Sequence, residues 1–194
     1  MKFNLSEVTD LIRSRRTVYP ENYSERQIQR DQLEQILNNA LWAPTHGNTQ
    51  PWRFVVFQGD SREELADFLA KTYLKITPKE QQKDSKLAKM LNRPKQAPVV
   101  VAVCMKRDPN RKIREIEEIE AVACAIHNMH LTCTAYGIGG FWSTPGPIYS
   151  EDVLPFLGLE EEDRCLGLFY MGYPKSEWPD GQRKPLEYLT EWKN

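Results

Sequence analysis

A chain of 194 residues, 40% of them apolar and 10% aromatic, is long enough to bury roughly two-thirds of its extended surface in a single domain without a disulfide or metal staple. Its 26 basic and 27 acidic residues leave a net charge of −1, which excludes the basic stripe of a nucleic-acid binder and the charge excess of a disordered tail. The N-terminal stretch carries Glu7 and Asp10 in place of a continuous apolar run, so it reads as neither secretion signal nor membrane span. With Cys104, Cys124, Cys133 and Cys165 set among apolar neighbours as reduced thiols, the expectation is a soluble, cytoplasmic protein.

The first helix is expected from Ser6 as N-cap, with Leu5, Val8, Leu11 and Ile12 on one face, ending in the basic turn Arg13-Ser14-Arg15-Arg16-Thr17. The second begins at Asp31 with Glu34 at the capping-box position; Leu33, Ile36, Leu37, Ala40 and Leu41 keep amphipathic spacing. It runs into Thr45-His46-Gly47-Asn48-Thr49-Gln50, where Pro44 and Pro51 fix the backbone at both ends and aim small donors and acceptors at a ligand. Residues 52–58 read as a strand, and Ser61 with Glu64 caps a third helix through about Thr72. From 78 to 96, polar and charged residues surround a thin stripe of Leu87, Met90 and Leu91, the pattern of a mobile helical lid spanning about 73–97.

Residues 98–105 are apolar on both faces, as a central strand must be. Over 114–136, Ile116, Ile119, Ala123, Ile126, His130 and Cys133 form one stripe and Val122, Ala125, Met129 and Thr132 a second, predicting a helix apolar nearly all round and buried until Gly137 stops it. A short strand (140–144), a proline-rich turn, a Ser150-capped helix, a strand (166–171) and a tail to Asn194 follow. The order predicts one α+β domain over 1–194, a small mixed sheet under helices.

Cys124, His127, His130 and Cys133 stand three apart and invite a metal reading. Each step of three residues turns about 300°, so the stripe drifts by about 60° per step and its outer members diverge. They cannot close on one tetrahedral ion, and His130 reads as a hydrogen-bonded core histidine. A Cys-His nucleophile pair there lacks an orienting third group. Gly137-Ile138-Gly139-Gly140 follows a helix and precedes a strand, the reverse of a dinucleotide phosphate turn. The run Glu115, Glu117, Glu118, Glu120 reads as a solvated helix start without the second fixed acid of a hydrolase. Arg13, Arg15 and Arg16 remain, with Arg183 and Lys184 before Pro185 in the tail: forks from two places can grip a terminal phosphate. The candidate ligand is a phosphorylated molecule with a polar-edged ring, held between these clusters and the 45–50 loop.

Four segments in register resemble the FMN-dependent nitroreductase family, and within it the short, minimal members. They are Arg15-Arg16-Thr17, the loop from Ala43 through Trp52, Gly139-Gly140-Phe141-Trp142-Ser143-Thr144, and Arg183-Lys184-Pro185-Leu186. The likeness covers essentially the whole chain. It implies a nitroreductase-like sandwich with a mixed, mainly antiparallel sheet, and an obligate homodimer with the 114–136 helix in its core and FMN at the interface. Carried over by position, Arg15 and Arg183 hold the FMN phosphate with Lys184 assisting, and Arg16 and Thr17 line the ribityl chain and ring edge. Thr45, His46 and Asn48 come from the other subunit, with Gln50 touching the ring or only bracing the loop. Gly140, Trp142, Ser143 and Thr144 pass beside the flavin, and the tail (about 175–194) reaches across the partner through Leu186, Tyr188, Leu189 and Trp192.

The implied activity is hydride transfer from NADPH or NADH to flavin N5 and on to a nitro compound, quinone or similar small electron-poor acceptor. It needs no catalytic side chain, metal, nucleic acid or membrane. Hydrogen-bond donors near the flavin's N1 and O2 favour its reduced form. Short relatives often carry basic residues where this chain has Trp42 and Ser143, so flavin binding, potential or acceptor differs here. Trp42 also reads as a core or interface aromatic. Two alternatives remain: another flavin reaction on the same fold, such as dehalogenation or flavin breakdown, and a non-catalytic module holding FMN or another phosphorylated ligand.

Overall fold

The computed structural model describes residues 2–193; Met1 and Asn194, the ends of the expected domain and tail, lie outside the described residues. Among the described residues six α-helices and four strands follow one another in the predicted order. Helix α1 (Leu5–Ser14) starts before Ser6 because Asn4 is the N-cap, its side-chain oxygen accepting the Ser6 N–H at 3.0 Å. Helix α2 (Arg30–Ala40) closes its capping box with Gln29 and Gln32, not Asp31 and Glu34; Glu34 instead pairs with Arg30 at 2.6 Å.

Strand β1 (Trp52–Phe57) leads to α3 (Ser61–Ile76), whose N-cap position is Asp60. Ser61 Oγ serves the preceding turn, accepting the Gln58 N–H at 2.9 Å and donating to the Gln58 carbonyl at 2.8 Å. The helix passes its expected end because Thr72 and Tyr73 are buried. Next come α4 (Asp84–Gln96), β2 (Val99–Met105), α5 (Glu115–Ala135), β3 (Gly139–Ser143), α6 (Val153–Leu157) and β4 (Arg164–Gly172). The N-cap position of α6 is Asp152, since Ser150 Oγ donates to the Pro147 carbonyl at 2.8 Å.

The sheet has the order β1-β2-β4-β3 and every strand pair in it is antiparallel. The parallel component expected of a mixed sheet is a single bridge, Thr17 to Gly140, outside the named pairs. Central β2 is buried at every residue, which explains its unalternating apolar run. One face, through Val99, Val101, Val103 and Met105, joins a core with α2 and α5; the other, through Val100, Ala102 and Cys104, joins one with α3 and α6.

Two helices keep apolar faces uncovered in the single chain. Helix α5 sends Val122, Ala125, Ile126, Met129 and Cys133 into the core, while Ile116, Cys124 and His127 are exposed. Cys124 therefore lies at the surface, and all four cysteines are free thiols. Helix α1 buries no residue; Leu5 is 77% exposed and Ile12 53%. The segment expected to form a lid contains α4, with Leu87, Met90 and Leu91 half-buried and Arg62 Nη1 donating to the carbonyls of Lys95 (3.1 Å) and Ala97 (2.6 Å) at its C-terminal end.

Candidate functional site

The turn after α1 and the C-terminal tail, far apart in sequence, meet in space. Trp178 Nε1 donates to the Ser14 carbonyl at 2.5 Å, and Gly181 lies so close over Arg16 that a Cβ there would stand 2.4 Å from the guanidinium carbon. This fold-back sets Arg183 against Arg15. Burial first, then the charges of Arg183 and Arg16, lower the Arg15 pKa from its ordinary value. Among the described residues Arg15, Arg16 and Arg183 form no ion pair with a carboxylate. Arg16 Nη1 donates to the carbonyls of Arg13 (2.5 Å) and Arg15 (2.9 Å), but its Nε is buried without a partner. Uncompensated guanidinium groups around a buried, unused donor are costly unless an anion joins them, so this cluster fits a phosphate-bearing group. Lys184 is exposed in the same segment.

Beneath the cluster, His130 of α5 lies with Nε2 2.9 Å from the Arg16 carbonyl and its ring edge-on to Phe169. Burial pushes its pKa down to about 4, so the ring is neutral near pH 7 and Nε2 carries the donated proton. Cys133 is buried with it, whereas Cys124 and His127 face out, the divergence that the helical drift predicts. Gly140 permits this packing, because a Cβ there would stand 2.7 Å from Phe169 Cζ and 2.8 Å from His130 Cδ2. Its carbonyl accepts the Val18 N–H at 3.1 Å, which draws Arg16 and Thr17 alongside β3.

The 45–50 loop lies elsewhere. Gly47, Asn48 and Gln50 adopt left-handed backbone angles (φ 59°, 54° and 48°), a conformation that costs the two non-glycine residues energy. Thr45 Oγ accepts the Gln50 N–H and lies 3.2 Å from Thr49 Oγ, while Gln50 Nε2 donates to Asn48 Oδ1 at 3.1 Å, so Gln50 braces the loop. His46 Nδ1 pairs with Glu117 at the start of α5. The helix from Glu117 to His130 spans about 20 Å, which separates this loop from the guanidinium cluster within one chain. Trp42, 86% exposed, lines a hollow of about 440 Å³ with Thr45, Asn48, Gln50 and Trp52; it is no core aromatic.

Trp142, Ser143 and Thr144 line a third place, a cavity of about 630 Å³ between β3 with its proline turn and helix α4. The Trp142 indole N–H donates to the Leu166 carbonyl at 3.0 Å, so this side chain offers the cavity only its ring. Lys86, Lys89 and Arg93 face the same space. Sequence reasoning passed over them because cations on one face of a polar helix look like solvated surface; their i, i+3, i+7 spacing was the available signal.

A four-stranded antiparallel sheet between helices, with a guanidinium cluster unpaired among the described residues near one end of its long helix, defines an α+β domain. Residues 12–173 match the sequence model of the Nitroreductase family, and the chain belongs to that family of oxidoreductases. It is 30% identical over 145 residues to the Escherichia coli (strain K12) protein YdjA, provisionally named an NAD(P)H nitroreductase, covering 75% of this chain and 77% of that one. Among solved structures, a nitroreductase-like family protein from Bacillus cereus aligns over 100% of this chain and 98% of its own, with a TM-score of 0.84 and 26% identity. A nitroreductase with bound FMN from Bacteroides fragilis shares the fold, with a TM-score of 0.74 at 24% identity over 96% of this chain and 99% of that one.

Proposed function

We propose that two copies of this chain hold FMN between them and act as an NAD(P)H-dependent reductase of small electron-poor molecules. The observation that carries the reading is the convergence of Arg15, Arg16 and Arg183 without an acid to neutralise them. When bound, FMN accepts hydride from NADPH or NADH and passes the electrons to a nitro compound, quinone or similar acceptor. Arg15 and Arg183, with Lys184, hold the phosphate. Arg16 and Thr17 line the ribityl chain, and neutral His130 fixes their backbone by donating to the Arg16 carbonyl. Gly140, Trp142, Ser143 and Thr144 run beside the ring; no side chain of this set is needed as acid, base or nucleophile.

The homodimer reading rests on separation and on uncovered apolar surface. Because the loop and the guanidinium cluster sit about 20 Å apart along α5, a two-fold antiparallel pairing of α5 brings the Thr45, His46 and Asn48 of one copy towards the Arg15 of the other. The bare stripe of α1, the outer face of α5 and the exposed Leu186, Tyr188, Leu189 and Trp192 of the tail are surfaces for such a partner to cover. The free thiols agree with a reducing, cytoplasmic setting, and among the described residues no helix is long and apolar enough to cross a membrane.

Purified protein is expected to be yellow, dimeric in sedimentation, and bleached anaerobically by NADPH or NADH. The Arg183→Ala variant is expected to bind FMN about tenfold to a hundredfold more weakly, since a charged hydrogen bond is worth roughly 1.5–3 kcal/mol. A colourless monomer indifferent to added FMN overturns the reading.

A further inference from the structure

We propose that the cavity beneath α4 selects acceptors carrying an anionic group on a planar ring, with Lys86 and Lys89 as the residues that read the charge. This inference rests on the flavin reading above and names the substrate class of that same site. The cavity, about 630 Å³, is of a size for one ring-bearing small molecule. Aromatic side chains make one wall: Phe141 and Tyr170 stack with centroids 5.8 Å apart, and Trp142 joins them with its N–H already engaged. Helix α4 makes the opposite wall and presents Lys86, Lys89 and Arg93, while among the described residues no aspartate or glutamate lines the space.

The three cations are not equivalent. Arg93 is half-buried, donates to Glu21 at 2.9 Å and lies over the Phe141 ring at 5.0 Å, so its charge is already committed to the wall. Lys86 and Lys89 are exposed and, among the described residues, form no ion pair with a carboxylate. Glu21, the acid whose field Lys89 feels, is held by Arg93. A neutral ring entering here gains apolar contact alone. A ring bearing a carboxylate, sulfonate or phosphate gains the same contact and two mobile ammonium groups, and a cationic ring is repelled. The same chemistry is carried by the phosphates of the nicotinamide donor, so the test separates the two sources.

Binding of 2-naphthoate and of its neutral counterpart 2-naphthamide to the protein, loaded with FMN, is measured by calorimetry. Naphthoate is expected to bind about fivefold more tightly, the size of an exposed charge pair, with the preference shrinking at high salt. In the double variant Lys86→Gln/Lys89→Gln the preference is expected to fall to about onefold. A companion experiment photoreduces the protein without any nucleotide and mixes it with 4-nitrobenzoate or 4-nitrobenzamide. The ratio of the two reoxidation rates is expected to fall about fivefold from wild type to double variant. Equal affinity for the two naphthyl ligands in the wild type overturns the proposal. So does a double variant in which that ratio stands while reduction by NADPH or NADH slows, because the lysines then read the donor's phosphates. Either result leaves the flavin reading intact. Failure of that reading shows separately as protein that takes up no FMN, and calorimetry on such protein still decides whether the cavity prefers the anion.

Discussion

Strand β2 and helix α1 both carry strong apolar patterns, and the folded chain treats them in opposite ways. All of Val99–Met105 is buried, whereas no residue of Leu5–Ser14 is. For β2 the pattern is satisfied by its own chain, through β1 and β4 at its edges and helices on both faces. For α1 the stripe is just as regular, but among the described residues only its Leu11 is half-buried, and Leu5, Val8 and Ile12 stay exposed. An apolar stripe therefore identifies a buried face without saying which molecule buries it, and α5 shows both outcomes on one helix. Changes to the internally covered regions should act on folding, and changes to the uncovered ones on assembly.

The sharpest break on the covered side is Gly140→Ala. The new Cβ would meet Phe169 Cζ at 2.7 Å and His130 Cδ2 at 2.8 Å, two ring atoms of side chains wedged in the core. Overpacking of this kind costs about 3 kcal/mol, seen as a lowered urea midpoint in protein free of FMN. Because the clash lies within one chain, the loss should not depend on protein concentration.

Next in size is the pH response of His130. Burial is the main cause of its folded pKa of about 4, against an ordinary value near 6.5, while the hydrogen bond to the Arg16 carbonyl opposes the shift. Well above pH 6.5 the ring is neutral in both states and contributes no slope. As pH falls from 6.5 towards 4 the unfolded chain takes up the proton first, so stability is lost across that window, by up to about 3 kcal/mol. Unfolding of FMN-free protein followed across these pH values is expected to show this slope, and His130→Gln is expected to flatten it.

The order of helices and strands was legible because period and length decide it: the even apolar run of β2 and the spacing in α2 admit one assignment each. Helix starts were less legible, since Asn4, Gln29 and Asp60 compete locally with Ser6, Asp31 and Ser61, and backbone geometry settles which one caps. At the site, the candidate grip of Arg15 and Arg183 could be guessed from chemistry. What unites them, Trp178 on the Ser14 carbonyl and Gly181 against Arg16, is a long-range contact without a local pattern. Lys86 and Lys89 stayed hidden for the opposite reason: their local pattern was plain, but the facing aromatic wall comes from β3 and β4.

On the uncovered side, Ile12→Glu tests whether α1 is buried by a second copy. In the single chain Ile12 is 53% exposed, so the substitution leaves little to disturb in the monomer. Placing a carboxylate in an apolar contact between copies costs about 2 kcal/mol, a dissociation constant raised roughly thirtyfold. Sedimentation across a dilution series reads this, with an unchanged far-ultraviolet spectrum showing that each chain still folds. Unaltered association would place α1 outside the dimer contact.

The smallest expected effect comes from Arg30→Ala in α2, and its smallness has several causes. The ion pair with Glu34 is exposed, with side chains 78% and 54% accessible, so solvent screens it. Arg30 also stands at the helix N-terminus, where the backbone dipole disfavours a cation, and the arginine precedes the glutamate, the weaker order for a pair four residues apart. Loss of the pair is offset by relief of that repulsion, leaving under about 0.5 kcal/mol, or less than about 2 °C in the melting temperature of a chain this size. A larger shift that grows with protein concentration would place this side of α2 under the partner and enlarge the set of surfaces that only assembly covers.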